Sequence, residues 1–426
     1  MCDASNTLRS ATLASRSEKL FVLFVLLLSA GAFTNLQVTG PIKSQNTGML
    51  GMQILWVCIY ILTLVLFSRK CSQPLTTFFS EGPLIAVVAF ALSSVFWSQD
   101  PEFTLRRGLA LALTLLFGIY FGSRFSLKEQ LRLLLCTCAV CIVFSFLFEL
   151  LGLNPSEGIP GWYGIFFQKN ELGRTMVLSS IVFLFWRRVE PNLKSAAAVG
   201  FVASISLILL SQSMTSVVIL LLMLILYPYL HWVLRKTARS ALTAVGLLLA
   251  VGAISVLYVA AHLEEVTDFL GRSVTLSGRF QLWIVSAVMA LRRPWLGYGY
   301  DAFWLPDQPV TIRIWQFLHW MPPHAHNGFL ELWLDVGLIG TGISLLALGY
   351  YILKSLQFLR RNPEPAAAWP LTFLVFLSFA NLTETVFLVR NSIFFILYAA
   401  AAASMHEERE KAHVANKPVL PKHSYA

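Results

Sequence analysis

Charge is what this sequence has least of. Only 13% of its 426 residues are Asp, Glu, Lys or Arg, while 57% are hydrophobic. That balance excludes a water-soluble domain of this size. Segments of about ten residues alternating between polar and apolar, the signature of a transmembrane β-barrel, are missing as well. No Gly-x-Ser-x-Gly elbow, Walker loop or dinucleotide fingerprint occurs. No Asp-x-Asp occurs either, so a carboxylate-held Mg²⁺ or Mn²⁺ has no obvious seat. The six cysteines are scattered. Cys136, Cys138 and Cys141 share one apolar run, where thiols serve as small apolar packers rather than as a disulfide or metal framework. No repeat of fixed period divides the chain.

What is present is a succession of apolar runs of roughly 18–25 residues, the length a bilayer requires of a helix. The mean hydropathy is +0.68. Unpaired peptide groups in hydrocarbon cost several kcal/mol each, which leaves the helix as the only spanning element consistent with these runs. The expected fold is an all-α polytopic membrane protein with about twelve spans: 19–38, 50–68, 82–97, 105–122, 131–152, 172–187, 195–211, 215–234, 240–262, 328–353, 367–385 and 391–405. Residues 1–18 and 406–426 read as polar tails flanking a single integral domain at 19–405. Residues 263–327 form the one long loop outside the membrane, expected to contain short amphipathic helices. Arg9, Arg16 and Lys19 ahead of an apolar run ending in Ala30-Gly31-Ala32 resemble a signal peptide, but the apolar stretch continues to Val38, so an uncleaved first span is expected.

With the N-terminus inside, 21 of the 32 lysines and arginines fall on the cytoplasmic side, as the positive-inside rule requires. Both tails are then cytoplasmic and the 263–327 loop lies outside. The exceptions are informative. Arg106 and Arg107 open a span, Arg174 lies just inside another, Arg390 stands at the mouth of a third, and Arg279 belongs to the outer loop. Snorkelling to headgroups is one account of such cations. An anionic ligand is the better account of so many gathered on the side that normally avoids them, because a guanidinium fork binds two phosphate oxygens at once.

Three stretches carry most of this chemistry. In 160–174, PGWYGIFFQKNELGR, a Pro/Gly turn leads to Lys169 and Asn170 and then to a helix whose first turns hold Glu171 and Arg174. Cations there oppose the helix dipole unless an anion is bound. In 275–304, Thr275 or Ser277 can cap a helix running to about Leu291 and stopped by Pro294, with Arg279 in its first turn. Phe280, Trp283, Ile284 and Met289 suggest that this helix lies against the bilayer. In 321–340, MPPHAHNGFLELWLDVGLIG, Asn327, Glu331 and Asp335 recur every four residues and stack on one helical face, which predicts a polar stripe facing a water-accessible cavity. Gly337 and Gly340 are expected to admit a neighbouring helix. His326, at the end of that stripe, is the candidate base. His324 and His326, with His319 nearby, can also be read as a metal pair. Further ligands at a standard spacing are lacking, so no metal and no cofactor is expected.

At these residues the chain resembles the superfamily of O-antigen ligases, O-antigen polymerases and exopolysaccharide polymerases, most strongly over 160–345. The family's histidine motif is matched by His326, Asn327, Gly337 and Gly340. Ser277-Gly278-Arg279, Pro294-Trp295-Leu296-Gly297-Tyr298-Gly299, Lys169-Asn170 and Trp97-Ser98…Asp100-Pro101 are also similar. One departure stands out: Met214 occupies the place of an arginine on which the ligase branch relies. The resemblance implies a GT-C-like glycosyltransferase of the bacterial inner membrane. It would act at the periplasmic face on an undecaprenyl-diphosphate-linked oligosaccharide and a glycan acceptor. His326, Arg279 and Glu331 would be catalytic, and Arg174, Lys169, Arg390 and Asn327 would bind diphosphate or sugar. The bilayer is a partner, a flippase and a chain-length regulator are further candidates, and no nucleic acid is expected. A polymerase is favoured over a ligase because of Met214. A secondary transporter is the rival of another class, but it predicts internal repeats and broken helices at the bilayer midplane.

Overall fold

A computed structural model of the chain describes residues 3–32, 42–70, 78–153, 160–232, 243 and 279–415. The described elements are helical: α1 (Asp3–Ser29), α2 (Ile42–Lys70), α3 (Gly82–Ser93), α4 (Pro101–Arg124), α5 (Leu127–Leu150), α6 (Lys169–Val189), α7 (Lys194–Leu210), α8 (Met214–Trp232), α9 (Arg279–Arg292), α10 (Pro309–Leu318), α11 (Gly328–Arg361), α12 (Trp369–Thr383) and α13 (Ile393–Ala415). No strand occurs among the described residues. Among the described residues, six helical stretches are long and apolar enough to cross a membrane: 50–69, 101–124, 127–150, 191–210, 328–361 and 365–383. Three shorter apolar helices accompany them at 82–96, 214–229 and 393–405. The span expected at 240–262 and the loop residues 263–278 lie outside the described residues, apart from residue 243.

Local sequence sets the helix ends near the site. Asp100 accepts from Phe103 N at 2.9 Å and Pro101 follows it, so α4 begins with a side-chain cap and a residue whose missing N–H is harmless there. Asn327 caps α11 by accepting from Phe329 N and Leu330 N, both at 3.1 Å. Ser126 and Glu129 form a capping box at the start of α5. Small residues then bring α4 and α13 together. A Cβ at Gly122 would collide with the backbone of Ala400, and one at Gly118 with Ala399 and Ile396. Such close approach is how helices gain contact in lipid, where apolar burial alone drives nothing.

Ion pairs collect at the two ends of these helices. At one end Arg124 meets Glu18 at 3.1 Å, Lys19 meets Glu129 at 2.8 Å and Lys128 meets Glu190 at 3.0 Å. At the other end of α4 and α6, Arg107 and Arg174 each belong to a carboxylate-centred cluster.

The helix break at Gly337 positions the 294–304 loop. Gly337 has φ +66°, and a Cβ there would run into the backbone of Trp295 and Leu296. A loop, not the expected helix, approaches at this glycine. Gly340 does face a neighbouring helix, at Phe90 of α3. Four peptide groups of α11 around the break are satisfied by the loop. Tyr298 N and Gly299 N donate to the carbonyls of Leu334 and Asp335 at 2.7 and 2.9 Å, and Leu338 N and Ile339 N donate to those of Pro294 and Trp295 at 2.7 and 3.2 Å. Non-helical backbone within an apolar span is tolerable only with such substitution. This exchange explains why the Pro-Trp-Leu-Gly-Tyr-Gly segment and the glycine of α11 occur in the same chain.

Candidate active site

His326 sits between Ala325 and the cap of α11, buried, with φ +50°. A left-handed conformation costs a non-glycine residue about 1–2 kcal/mol, so the surroundings must enforce it. Three contacts do. Glu331 Oε2 accepts from Ala325 N at 2.6 Å, Trp283 Nε1 donates to Ala325 O at 3.0 Å, and His326 N donates to His324 Nδ1 at 3.1 Å. The same Glu331 oxygen accepts from Trp304 Nε1 at 3.2 Å. Glu331 therefore braces the histidine turn. Trp283, expected at the bilayer surface, instead turns inward to clamp that turn, because its indole N–H finds a carbonyl there.

The imidazole of His326 faces Glu384, whose Oε2 lies 3.1 Å from Nδ1. The other oxygen of Glu384 accepts from Arg279 Nη2 at 2.6 Å, and Arg279 Nη1 reaches the carbonyl of Thr383 at 3.1 Å. Arg174 approaches Oε2 from α6 at 3.9 Å, while its second nitrogen pairs with Glu171 at 3.4 Å. Its guanidinium lies 5.7 Å from the centre of the Phe394 ring. Glu384 is 4% exposed, against 18% for Arg279 and 19% for Arg174. Burial alone would raise its carboxyl, but the hydrogen bond from His326 and the two guanidinium charges outweigh burial and hold it down at about 2. A carboxylate can only accept, so the proton on the facing imidazole nitrogen belongs to His326 Nδ1. That leaves Nε2 as the free lone pair of the neutral ring. His324, whose ring centre is 4.1 Å from that of His326, is pushed down to about 3 by burial and by its neighbour, and so stays neutral.

The donor atoms of His324, His326 and Glu384 lie within 4.8 Å of one another, close enough in principle for a metal ion. The two guanidiniums at the same carboxylate oppose a dication there, and His324 Nδ1 is already occupied by a backbone N–H.

The remaining sequence candidates lie elsewhere. Arg390 pairs with Asp301, not Glu384, at 3.5 Å. Lys169 Nζ donates to the carbonyl of Pro160 at 3.0 Å. Asn327 is engaged as the helix cap, and Asn170 accepts from Ser213 Oγ at 2.9 Å, directly before Met214. Glu331 and Asp335 are both buried, so the polar stripe packs against the 294–304 loop, whose backbone N–H groups need carbonyl partners along that face. Sequence reasoning missed Glu384, Asp301 and Trp304. Glu384 falls inside the apolar stretch 367–385, and an ionisable residue in an apolar span is itself a signal of function.

A buried histidine–carboxylate pair flanked by two guanidiniums thus lies in a chain with several membrane-length helices. The O-antigen ligase family model, Wzy_C, matches residues 199–345. The chain is 28% identical over 307 residues to the exopolysaccharide production protein ExoQ of Rhizobium meliloti (strain 1021), covering 69% of this chain and 70% of that protein. The chain is thus similar to an O-antigen ligase family model and to a protein of exopolysaccharide production. The family match includes Arg279 and His326. Arg174 and Glu384 come from outside it and are brought in by the fold.

Proposed function

We propose that the protein is a polysaccharide polymerase of the bacterial inner membrane. It transfers glycan from an undecaprenyl-diphosphate-linked oligosaccharide to a glycan acceptor at the periplasmic face, with both termini in the cytoplasm. The observation that carries this reading is the constellation at Glu384: Arg279 at 2.6 Å, His326 at 3.1 Å and Arg174 at 3.9 Å around one buried carboxylate. The acceptor hydroxyl attacks sugar C1 as the bond from C1 to the diphosphate oxygen breaks, and its proton passes to His326 Nε2. Glu384 holds the ring in the basic tautomer and stabilises the imidazolium that forms. Negative charge accumulates on the leaving diphosphate, where Arg279 and Arg174 hold it without metal. A single displacement inverts the anomeric centre. Glu331 acts as a positioning residue by fixing the turn that bears His326.

The place of Met214 favours polymerase over ligase, as does the similarity to an exopolysaccharide production protein. Lipid-linked products of a deletion strain test the choice. Single repeats accumulate when polymerisation is lost. Full-length chains that accumulate unattached would instead assign a ligase. His326→Ala, expressed at wild-type level in that strain, should fail to restore long polymer. Normal polymer length would remove the histidine from the mechanism.

A further inference from the structure

A second carboxylate is bridged by two guanidiniums, and the chemistry above does not use it. Asp301 Oδ2 lies 3.3 Å from Arg107 Nη1 and 3.5 Å from Arg390 Nε. The two clusters share a pattern but differ in how well their charges are satisfied. Around Glu384 the nearest guanidinium contact is short, at 2.6 Å, and the carboxylate is buried. Around Asp301 they are long and single, with side-chain exposures of 27% for Arg107, 29% for Arg390 and 43% for Asp301. Arg390 Nε is buried without a hydrogen-bond partner among the described residues. Two guanidiniums share one carboxylate there, and all three side chains are partly exposed.

The cluster is also preorganised. Tyr300, next to Asp301, ties together all three elements that contribute charge. Its carbonyl accepts from Thr104 Oγ1 on α4, one turn before Arg107, at 3.1 Å, and its hydroxyl donates to the carbonyl of Leu388, two residues before Arg390, at 2.5 Å. Ser94 Oγ accepts from Tyr300 N at 2.9 Å. Beyond Arg390, Asn391 is pinned by Thr114, which accepts from its N–H at 3.0 Å, and by the hydroxyl of Tyr60. Asp301, Leu388 and Asn391 all have positive φ, at 57°, 51° and 58°. Backbone strain at non-glycine residues persists where surrounding contacts over-determine it. Glu384 and Arg390 lie on the same short segment between α12 and α13, so the two clusters are neighbours along one piece of chain.

From this we infer that Arg107 and Arg390 form a second diphosphate-binding site, which holds the lipid-linked glycan acceptor while Arg174 and Arg279 hold the donor. The inference rests on the polymerase reading, in which both substrates carry a prenyl diphosphate. Asp301 is the counter-ion that occupies the pair between turnovers and gives way to the incoming phosphates.

The test uses the purified full chain in phosphatidylcholine nanodiscs, with radiolabelled farnesyl diphosphate as the probe. Wild type should bind two equivalents. The double variant Arg107→Gln/Arg390→Gln should bind one, and Arg174→Gln/Arg279→Gln should bind the other. Asp301→Asn should tighten the second equivalent by about threefold or more, because a competing charge is removed. One equivalent in wild type, lost only with Arg174 and Arg279, would overturn the second site and leave the proposed function standing. No binding at all would overturn both. Displacement of the second equivalent by added phosphatidylglycerol would reassign the pair to lipid headgroups, as would weaker binding in Asp301→Asn to a scaffolding role for that residue, and either result overturns the inference.

Discussion

Replacing Glu384 with glutamine separates its charge from its shape. In the folded protein its carboxyl lies at about 2, against an ordinary value of 4.5. That difference corresponds to about 3 kcal/mol of folding stability at neutral pH, and little is lost to solvent screening because the side chain is buried. The folded carboxyl is depressed, so this stability is fully present above about 4.5 and is lost as pH falls toward 2. Thermal melting of detergent-solubilised protein should therefore show a falling midpoint for wild type through that window. Glu384→Gln should start lower at pH 7 and change less over the same range. Catalysis should suffer more than stability. Without the carboxylate, His326 Nδ1 no longer needs to carry the proton, and the imidazolium loses its partner. General-base chemistry of this kind is worth about 10²–10⁴ in rate. Polymerisation by purified protein, measured at pH 7 where both forms are folded, should fall by at least a hundredfold. A loss below tenfold, or a wild-type melting midpoint flat between pH 5 and 3, would refute the assignment of Glu384 as an ionised partner of the histidine.

Other substitutions read other parts of the framework. Arg279→Lys keeps a charge but cannot span both Glu384 and the Thr383 carbonyl as the fork does, so activity should fall at least tenfold; full activity would show that a point charge suffices. Gly337→Ala adds a Cβ against the Trp295 backbone at φ +66°, and should remove most folded protein from the membrane fraction in a fluorescence size-exclusion assay. Glu81→Gln removes the carboxylate charge 3.5 Å from buried Lys354 and changes the acceptor of the Tyr351 hydroxyl. Taking a counter-charge from a buried cation is destabilising, so the melting midpoint should drop, and Glu81→Gln/Lys354→Met should recover part of the loss.

Periodicity and run length made the helices legible, because lipid offers the backbone no alternative. The stretch expected at 172–187 is helical as α6, though α6 is not among the helices apolar enough to cross a membrane, and the span expected at 195–211 corresponds to α7 to within a few residues. The break in α11 was hidden for a physical reason. Gly337 looks like any small residue at a helix interface until the partner strand of backbone is known, and that partner lies about forty residues earlier in the chain. Trp283 was misplaced for a related reason. An exposed-looking aromatic on an amphipathic helix has an indole N–H, and only the fold shows that the carbonyl of Ala325 is within reach.

Charge was legible in kind but not in pairing. Arg174, Arg279 and His326 could be singled out because each is out of place where it stands. Nothing local in the sequence says that Arg390 belongs with Asp301 and not with them. What sorts the cations is the placement of two acidic residues, Glu384 and Asp301, which sequence reasoning overlooked because each is single and flanked by uncharged residues. In a medium of low dielectric a guanidinium cannot remain far from a counter-charge. Each of these two carboxylates therefore acts as an address for the arginines around it. Counting acids before bases would have produced two clusters from the start, one with a histidine and one without. That single difference separates a site that can move a proton from a site that can only hold an anion.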